Sequence, residues 1–132
     1  MNLMVLMMRI RVKRVYDEPD LGDGVRVLVD RLWPRGGLSR ERAKIDVWLR
    51  DLAPSDELRR WFNHDPAKWD EFRLKYWSEL DRNINDLSKL LSIIRGNGAV
   101  TLLYATRDRL RNNAVALAEY LKVRYGFDYE VI

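Results

Sequence analysis

Two short runs of almost unbroken apolar character constrain this chain most, VRVLVD at 25–30 and AVTLLYA at 99–105. A strand that is apolar on both sides must be covered on both faces, the condition of an interior strand in a parallel or mixed sheet. Around these runs the apolar period lengthens to three and four residues, the signature of helices with one buried face. Ser55 opens a short helix over 56–63, with Leu58, Trp61 and Phe62 on one side. Asp65-Pro66 restarts the chain into a helix carrying Trp69, Phe72, Tyr76, Trp77 and Leu80. A third helix, 83–95, aligns Ile84, Leu87, Leu91 and Ile94 and is stopped by Gly96-Asn97-Gly98. A last helix with the inner stripe Leu110, Ala114, Leu117, Ala118 and Leu121 ends near Gly126. Strands interleaved with helices predict an α/β fold: a single compact domain whose small, at least partly parallel sheet is flanked by helices in a Rossmann-like three-layer arrangement.

Shorter signals fill in the order. RIRVKRV at 9–15 alternates charge with Ile10, Val12 and Val15, which predicts a half-buried edge strand. Residues 16–24 hold Pro19, Gly22 and Gly24 among acids and read as a loop or turn. Residues 39–44 suit a short helix, residues 45–55 fit strand or irregular chain equally, and FDYEVI at 127–132 alternates as a final strand. With 132 residues the chain makes one domain, expected over 8–132. The opening MNLMVLMM lacks the charge and cleavage site of a secretory signal, so residues 1–7 are expected to be an extension ahead of an original start at Met8. No stretch of 18 apolar residues occurs, so no membrane span is expected.

The absence of cysteine excludes thiol nucleophiles, disulfides and thiolate metal sites, and it suits the reducing cytoplasm. A single histidine, His64, argues against a histidine-built metal centre, so no metal is expected. Neither a Walker-type loop, a dinucleotide glycine pattern nor a GxSxG elbow occurs, so no cofactor is expected either. Basic residues number 24 against 20 acidic ones, and 18 of the 24 are arginine, the side chain that forks onto phosphate or carboxylate.

Ligands of open parallel sheets bind beyond the carboxyl ends of the strands. Following the two apolar runs there are Asp30, Arg31, Trp33, Pro34, Arg35 and Gly36 on one side and Thr106-Arg107-Asp108, at the mouth of a helix, on the other. If the runs are parallel neighbours, Asp30, Arg31, Arg35, Thr106 and Arg107 converge on an anion. The same residues also have structural readings: Asp30 paired with an arginine, Thr106 or Asp108 as a helix cap, and Pro34 to Gly37 as a turn. His64, beside Asp65, is either a carboxylate-oriented general base or a structural hydrogen-bonding residue. Of the five tryptophans, Trp61, Trp69 and Trp77 fall on helical inner stripes, and Trp33 lies in a loop where it can touch a ligand.

The strings VLVDRLWPRG, LAPSDELRRWFNHDPAKWDEF and TLLYATRDRLRNNAVALAEYL resemble the domain-of-unknown-function 488 family in its short YeaO-like branch, over Met8 to Leu121. The resemblance implies a compact α/β fold and assigns no activity. It marks Asp30, Arg31, Trp33, Pro34, Arg35 and Gly36 as a first motif and Trp61, His64, Asp65, Pro66, Trp69 and Phe72 as a second. A third runs from Tyr104 to Asn113 and adds Asn112 and Asn113 to the ligand-binding candidates. Relatives often carry asparagine-histidine where this chain has Asn112-Asn113, a departure that removes one candidate acid or base.

The leading expectation is a small phosphate- or carboxylate-bearing ligand bound by Arg31, Trp33, Arg35, Thr106, Arg107, Asn112 and Asn113. If the protein is catalytic, Asp30 or His64 carries the proton in a hydrolysis or group transfer. The competing reading is a nucleic-acid-binding protein that uses the same arginines and the basic strand at 9–15, and a third is a purely interacting or oligomerising module.

Overall fold

The computed structural model describes residues 8–132, so the expectation about residues 1–7 lies outside the described residues. Five parallel strands form one sheet in the order β3-β2-β4-β1-β5. They are β1 (Arg9–Arg14), β2 (Val25–Leu28), β3 (Val47–Trp48), β4 (Ala99–Tyr104) and β5 (Tyr129–Val131). The helices are α1 (Arg40–Ala43), α2 (Asp56–Phe62), α3 (Trp69–Arg82), α4 (Ile84–Gly96) and α5 (Asn113–Tyr125). Within the described residues this is a three-layer α/β domain, as the interleaved periodicities predict.

The strand order explains where the helices lie. The connections β1 to β2 and β2 to β3 run toward one edge of the sheet, whereas β3 to β4 and β4 to β5 run toward the other. Because parallel crossovers are right-handed, connections of opposite direction occupy opposite faces. The buried side chains divide accordingly. Ile10, Val12, Val27, Val29, Val100, Leu102 and Tyr104 face a core built from α2, α3, α4 and α5. On the other face Leu28 and Leu103 meet Ala43 and Ile45, with Trp33, Leu38 and Trp48 packed around them.

Beside that smaller cluster the second face is ionic. Asp23, Lys13 and Arg26 are all buried. The Asp23 carboxylate accepts from Lys13 Nζ at 3.1 Å and from Arg26 Nη1 at 2.6 Å, and Arg11 reaches it at 3.1 Å. Arg26 also donates to the Ala43 carbonyl, and Thr101 Oγ1 donates to the Asp23 carbonyl. Here β1 departs from expectation: it is not an edge strand, since it pairs with β4 on one side and β5 on the other. Of the charges that resemble edge protection, Arg11 and Lys13 lie together on one face and are neutralised there by Asp20 and Asp23. Gly24 permits the entry into β2: it has φ +61°, and a Cβ would lie 2.1 Å from the Ala99 carbonyl oxygen.

Two further differences bear on the site. Leu110 is exposed in a loop rather than on the stripe of α5. That helix begins at Asn113, and Asn112 is its N-cap. Thr106 and Arg107 therefore stand at the carboxyl end of β4 but not at a helix mouth. Residues 45–55, open at the level of sequence, form the two-residue β3 and a turn of 3₁₀ helix, Arg50–Leu52.

Candidate functional site

Chain leaving β2 turns one way and chain leaving β4 turns the other, so a crevice opens between the carboxyl ends of these neighbours, the switch point at which doubly wound sheets bind ligands. A cleft of about 940 Å³ occupies it. Asp30, Arg31, Trp33, Arg35, His64, Thr106, Arg107, Asn112 and Asn113 all line it. Arginine dominates the lining: Arg14, Arg31, Arg35, Arg59, Arg107 and Arg111 share it with Asp30, the one carboxylate of the lining among the described residues.

The six arginines differ in what holds them. Arg14 donates to the carbonyls of Ala105 and Thr106 and lies over the Tyr16 ring at 4.8 Å. Arg31 donates to the carbonyls of Pro54 and Ala53, which pins the segment after β3 to the segment after β2. Arg59 pairs with Asp56 and Arg111 with Asp108. The exposed Arg35 and Arg107 make no side-chain hydrogen bond or ion pair among the described residues. The loop that presents Arg35 is nevertheless fixed, because Tyr16 Oη donates to the Arg35 carbonyl at 2.7 Å and Trp33 Nε1 donates to the Leu38 carbonyl at 2.8 Å. Positive φ at Gly36 and Gly37 completes this turn.

Asp30 is not paired with any arginine, contrary to the structural reading that its neighbours suggest. One carboxylate oxygen accepts the Ala105 N–H at 2.9 Å, and the Asp30 carbonyl takes the Trp48 indole N–H. Burial drives the Asp30 carboxyl up to about 6, opposed by the Asn113 side chain and the Ala105 N–H. Such a group changes charge close to neutrality and is suited to proton transfer or to accepting ligand donors. His64 projects from the opposite wall. Its Nδ1 lies 3.3 Å from Thr106 Oγ1, so one hydrogen bond joins the segment after α2 to the end of β4. Asp65 does not orient it, because the Asp65 carboxylate caps the following 3₁₀ turn at Ala67 N–H. Asn63 and His64 both adopt left-handed backbone, with φ 45° and 54°. Two successive non-glycine residues in that region represent local strain held at the rim.

Three candidates have fully structural partners. Asn112 is buried, accepts the Val115 N–H as the cap of α5 and donates to the Asp108 carbonyl. Asn113 donates to the Val29 carbonyl beside Asp30. The Trp33 ring packs edge-on against Trp48 at 5.3 Å, so its edge toward the cleft is what remains for contact. Sequence reasoning places Arg14 and Arg111 only in the basic runs Arg9 to Arg14 and Arg107 to Arg111 that could meet a phosphate backbone, not in this cleft, although Arg14 ends a strand and the rule that found Asp30 and Thr106 applies equally to β1. It missed Tyr16, Arg59 and Asn63, which reach the cleft only through the path of the chain.

The fold and cleft define an open, doubly wound parallel α/β protein with an arginine-lined crevice at its switch point. The chain belongs to the DUF488 family: the family model described as "Inactive DUF488-N3 subclade" matches residues 9–129. It is 42% identical over 123 residues to the uncharacterized protein Rv3073c of Mycobacterium tuberculosis (strain ATCC 25618 / H37Rv), covering 92% of this chain and 100% of that relative. It is 37% identical over 115 residues to the uncharacterized protein YeaO of Escherichia coli (strain K12), covering 87% and 98% respectively. No solved structure matches the chain. Among the described residues no helix is long and apolar enough to cross a membrane, and no group of three or more His, Cys, Asp or Glu residues stands where it could hold a metal ion.

Proposed function

We propose that the cleft binds a small ligand through a phosphate or carboxylate group held by Arg35 and Arg107. The observation that carries this reading is the pair of guanidiniums without protein acceptors on a fixed rim, backed by four tethered arginines. Like charges gathered in one cleft repel one another, and an anion relieves that repulsion. The description of the matching family as inactive supports binding without turnover. So does the amide of Asn113, which cannot exchange a proton where relatives often carry histidine. If turnover exists, Asp30 or His64 is its proton carrier, in hydrolysis or group transfer. The absence of cysteine supports a cytoplasmic location.

The nucleic-acid reading draws on the same open rim, but it loses the basic strand, since Lys13 is buried and Arg11 is paired. Titration with inorganic phosphate, a dicarboxylate and labelled DNA and RNA at two ionic strengths separates the two. A one-anion site loses little affinity with salt, whereas a surface neutralising several phosphates loses it steeply. Arg35→Ala and Arg107→Ala each weaken anion binding about ten- to a hundredfold, the worth of a charge-assisted pair, and leave the melting temperature in place because neither side chain holds the fold. A large drop in melting temperature without ligand makes these arginines architecture instead, and a salt slope of several phosphates makes nucleic acid the ligand.

A further inference from the structure

A phosphate alone does not account for the centre of the cleft. Asp30 stands among six arginines without an ion pair to any of them, and it presents acceptor oxygens where an anion would be repelled. A structural carboxylate in that setting would be forked by a guanidinium. Arg31, which follows Asp30 in the chain, instead donates to the Ala53 and Pro54 carbonyls. One Asp30 oxygen accepts the Ala105 N–H, the carboxylate makes no other hydrogen bond among the described residues, and Asp30 lines the cleft. The space of about 940 Å³ also exceeds what a single tetrahedral anion fills and lies in the range of pockets for whole metabolites.

Ligand donors that could meet this carboxylate are an ammonium or a neutral O–H or N–H group. The unpaired guanidiniums of Arg35 and Arg107 in the same cleft disfavour an ammonium by Coulomb repulsion, whereas a neutral hydroxyl donates to the carboxylate without opposing charge. We propose that the cleft takes a phosphate monoester that also bears a hydroxyl group, its phosphate on Arg35 and Arg107 and its hydroxyl on Asp30. This rests on the anion-binding reading above and adds the chemistry at the other pole of the ligand. The shared unit is found both in free sugar phosphates and in nucleotides. With no glycine-rich phosphate loop in the chain, the arginines have to supply the phosphate contacts themselves.

Calorimetric titration of the full chain at low ionic strength with inorganic phosphate, methyl phosphate, ribose 5-phosphate and adenosine 5′-monophosphate tests the proposal. Ribose 5-phosphate is expected to bind at least tenfold more tightly than methyl phosphate, the worth of a hydrogen bond to a charged acceptor. Asp30→Asn is expected to erase that preference, read as the ratio of the ribose 5-phosphate and methyl phosphate affinities; circular dichroism checks that the variant is folded. The wild-type ligand series decides the matter even if the variant fails to fold. Within a confirmed preference, tighter binding of the adenosine ester than of ribose 5-phosphate identifies a nucleotide as the source, and weaker binding a free sugar phosphate. Equal affinity for methyl phosphate and ribose 5-phosphate overturns this proposal but leaves anion binding standing, and no binding of any of the four overturns both.

Discussion

A single carboxyl group sets the tension between stability and function in this molecule. Asp30 has a folded-state pKa of about 6 against an ordinary 3.8 because burial penalises its charge. The folded chain therefore binds the Asp30 proton more tightly than the unfolded chain does. Stability falls as pH rises through the window from about 4 to 6, and above 6 the penalty is complete, on the order of 2–3 kcal/mol. Asparagine has no such penalty, and its side-chain oxygen still accepts the Ala105 N–H. Asp30→Asn is accordingly expected to raise the melting temperature at pH 8 and to lose that advantage near pH 4, measured by thermal unfolding across the range. A loss of stability at pH 8 would show that the carboxylate is there for architecture. Natural chains tolerate a penalty of this kind where a ligand uses the charge.

At the scale of elements, local periodicity carried most of the information, and its failures share one physical origin. The apolar runs that became β2 and β4, the aromatic stripe of α3 and the cap Ser55 were readable because each depends on residues a few positions apart. The site residues Asp30, Arg31, Arg35, Thr106 and Arg107 were legible for the same reason, as the first residues after readable strands. The place of β1 was not legible, since alternation shows that a strand has two unlike faces but not whether its edges are paired. Arg59 and Arg111 belong to the cleft only because loops bring them there. The start of α5 was misread because several residues of a polar run can cap a helix, and only the fold shows that Asn112 does so while Asp108 closes a turn onto Leu110 and Arg111. Asn112→Ala leaves the Val115 N–H and the Asp108 carbonyl without their partner in a buried place. It is expected to cost about 1–3 kcal/mol in urea unfolding. Because α5 starts at the cleft, the same variant should also loosen ligand binding.

For the molecule as a whole, the two faces of the sheet are held by different physics. One is an apolar core beneath four helices; the other is bound by charges centred on Asp23, which link β1, β2 and the turn before β2, with Glu130 of β5 reached through Arg11. Burial pushes the Asp23 carboxyl up, but the Asp20 N–H, Lys13 and Arg26 together bring it below the ordinary value. Its contribution is therefore present above about pH 4 and is lost as pH falls below that, opposite in sign to Asp30. Asp23→Ala leaves the buried Arg26 without its carboxylate and Lys13 with only the exposed Asp20, and is expected to cost about 3–5 kcal/mol in equilibrium unfolding at pH 7. A loss under 1 kcal/mol would mean that water replaces the carboxylate. The position of β1 has a different consequence, which concerns synthesis. Both of its neighbours lie in the last third of the chain, Arg9 aligning with Ala99 and Ile10 with Tyr129. At roughly 5–20 residues per second, a ribosome takes several seconds to deliver them. Throughout that interval β1, an interior strand of the finished sheet, waits with both edges bare, and Arg9, Arg11, Lys13 and Arg14 give it the charge that keeps it from pairing with another polypeptide.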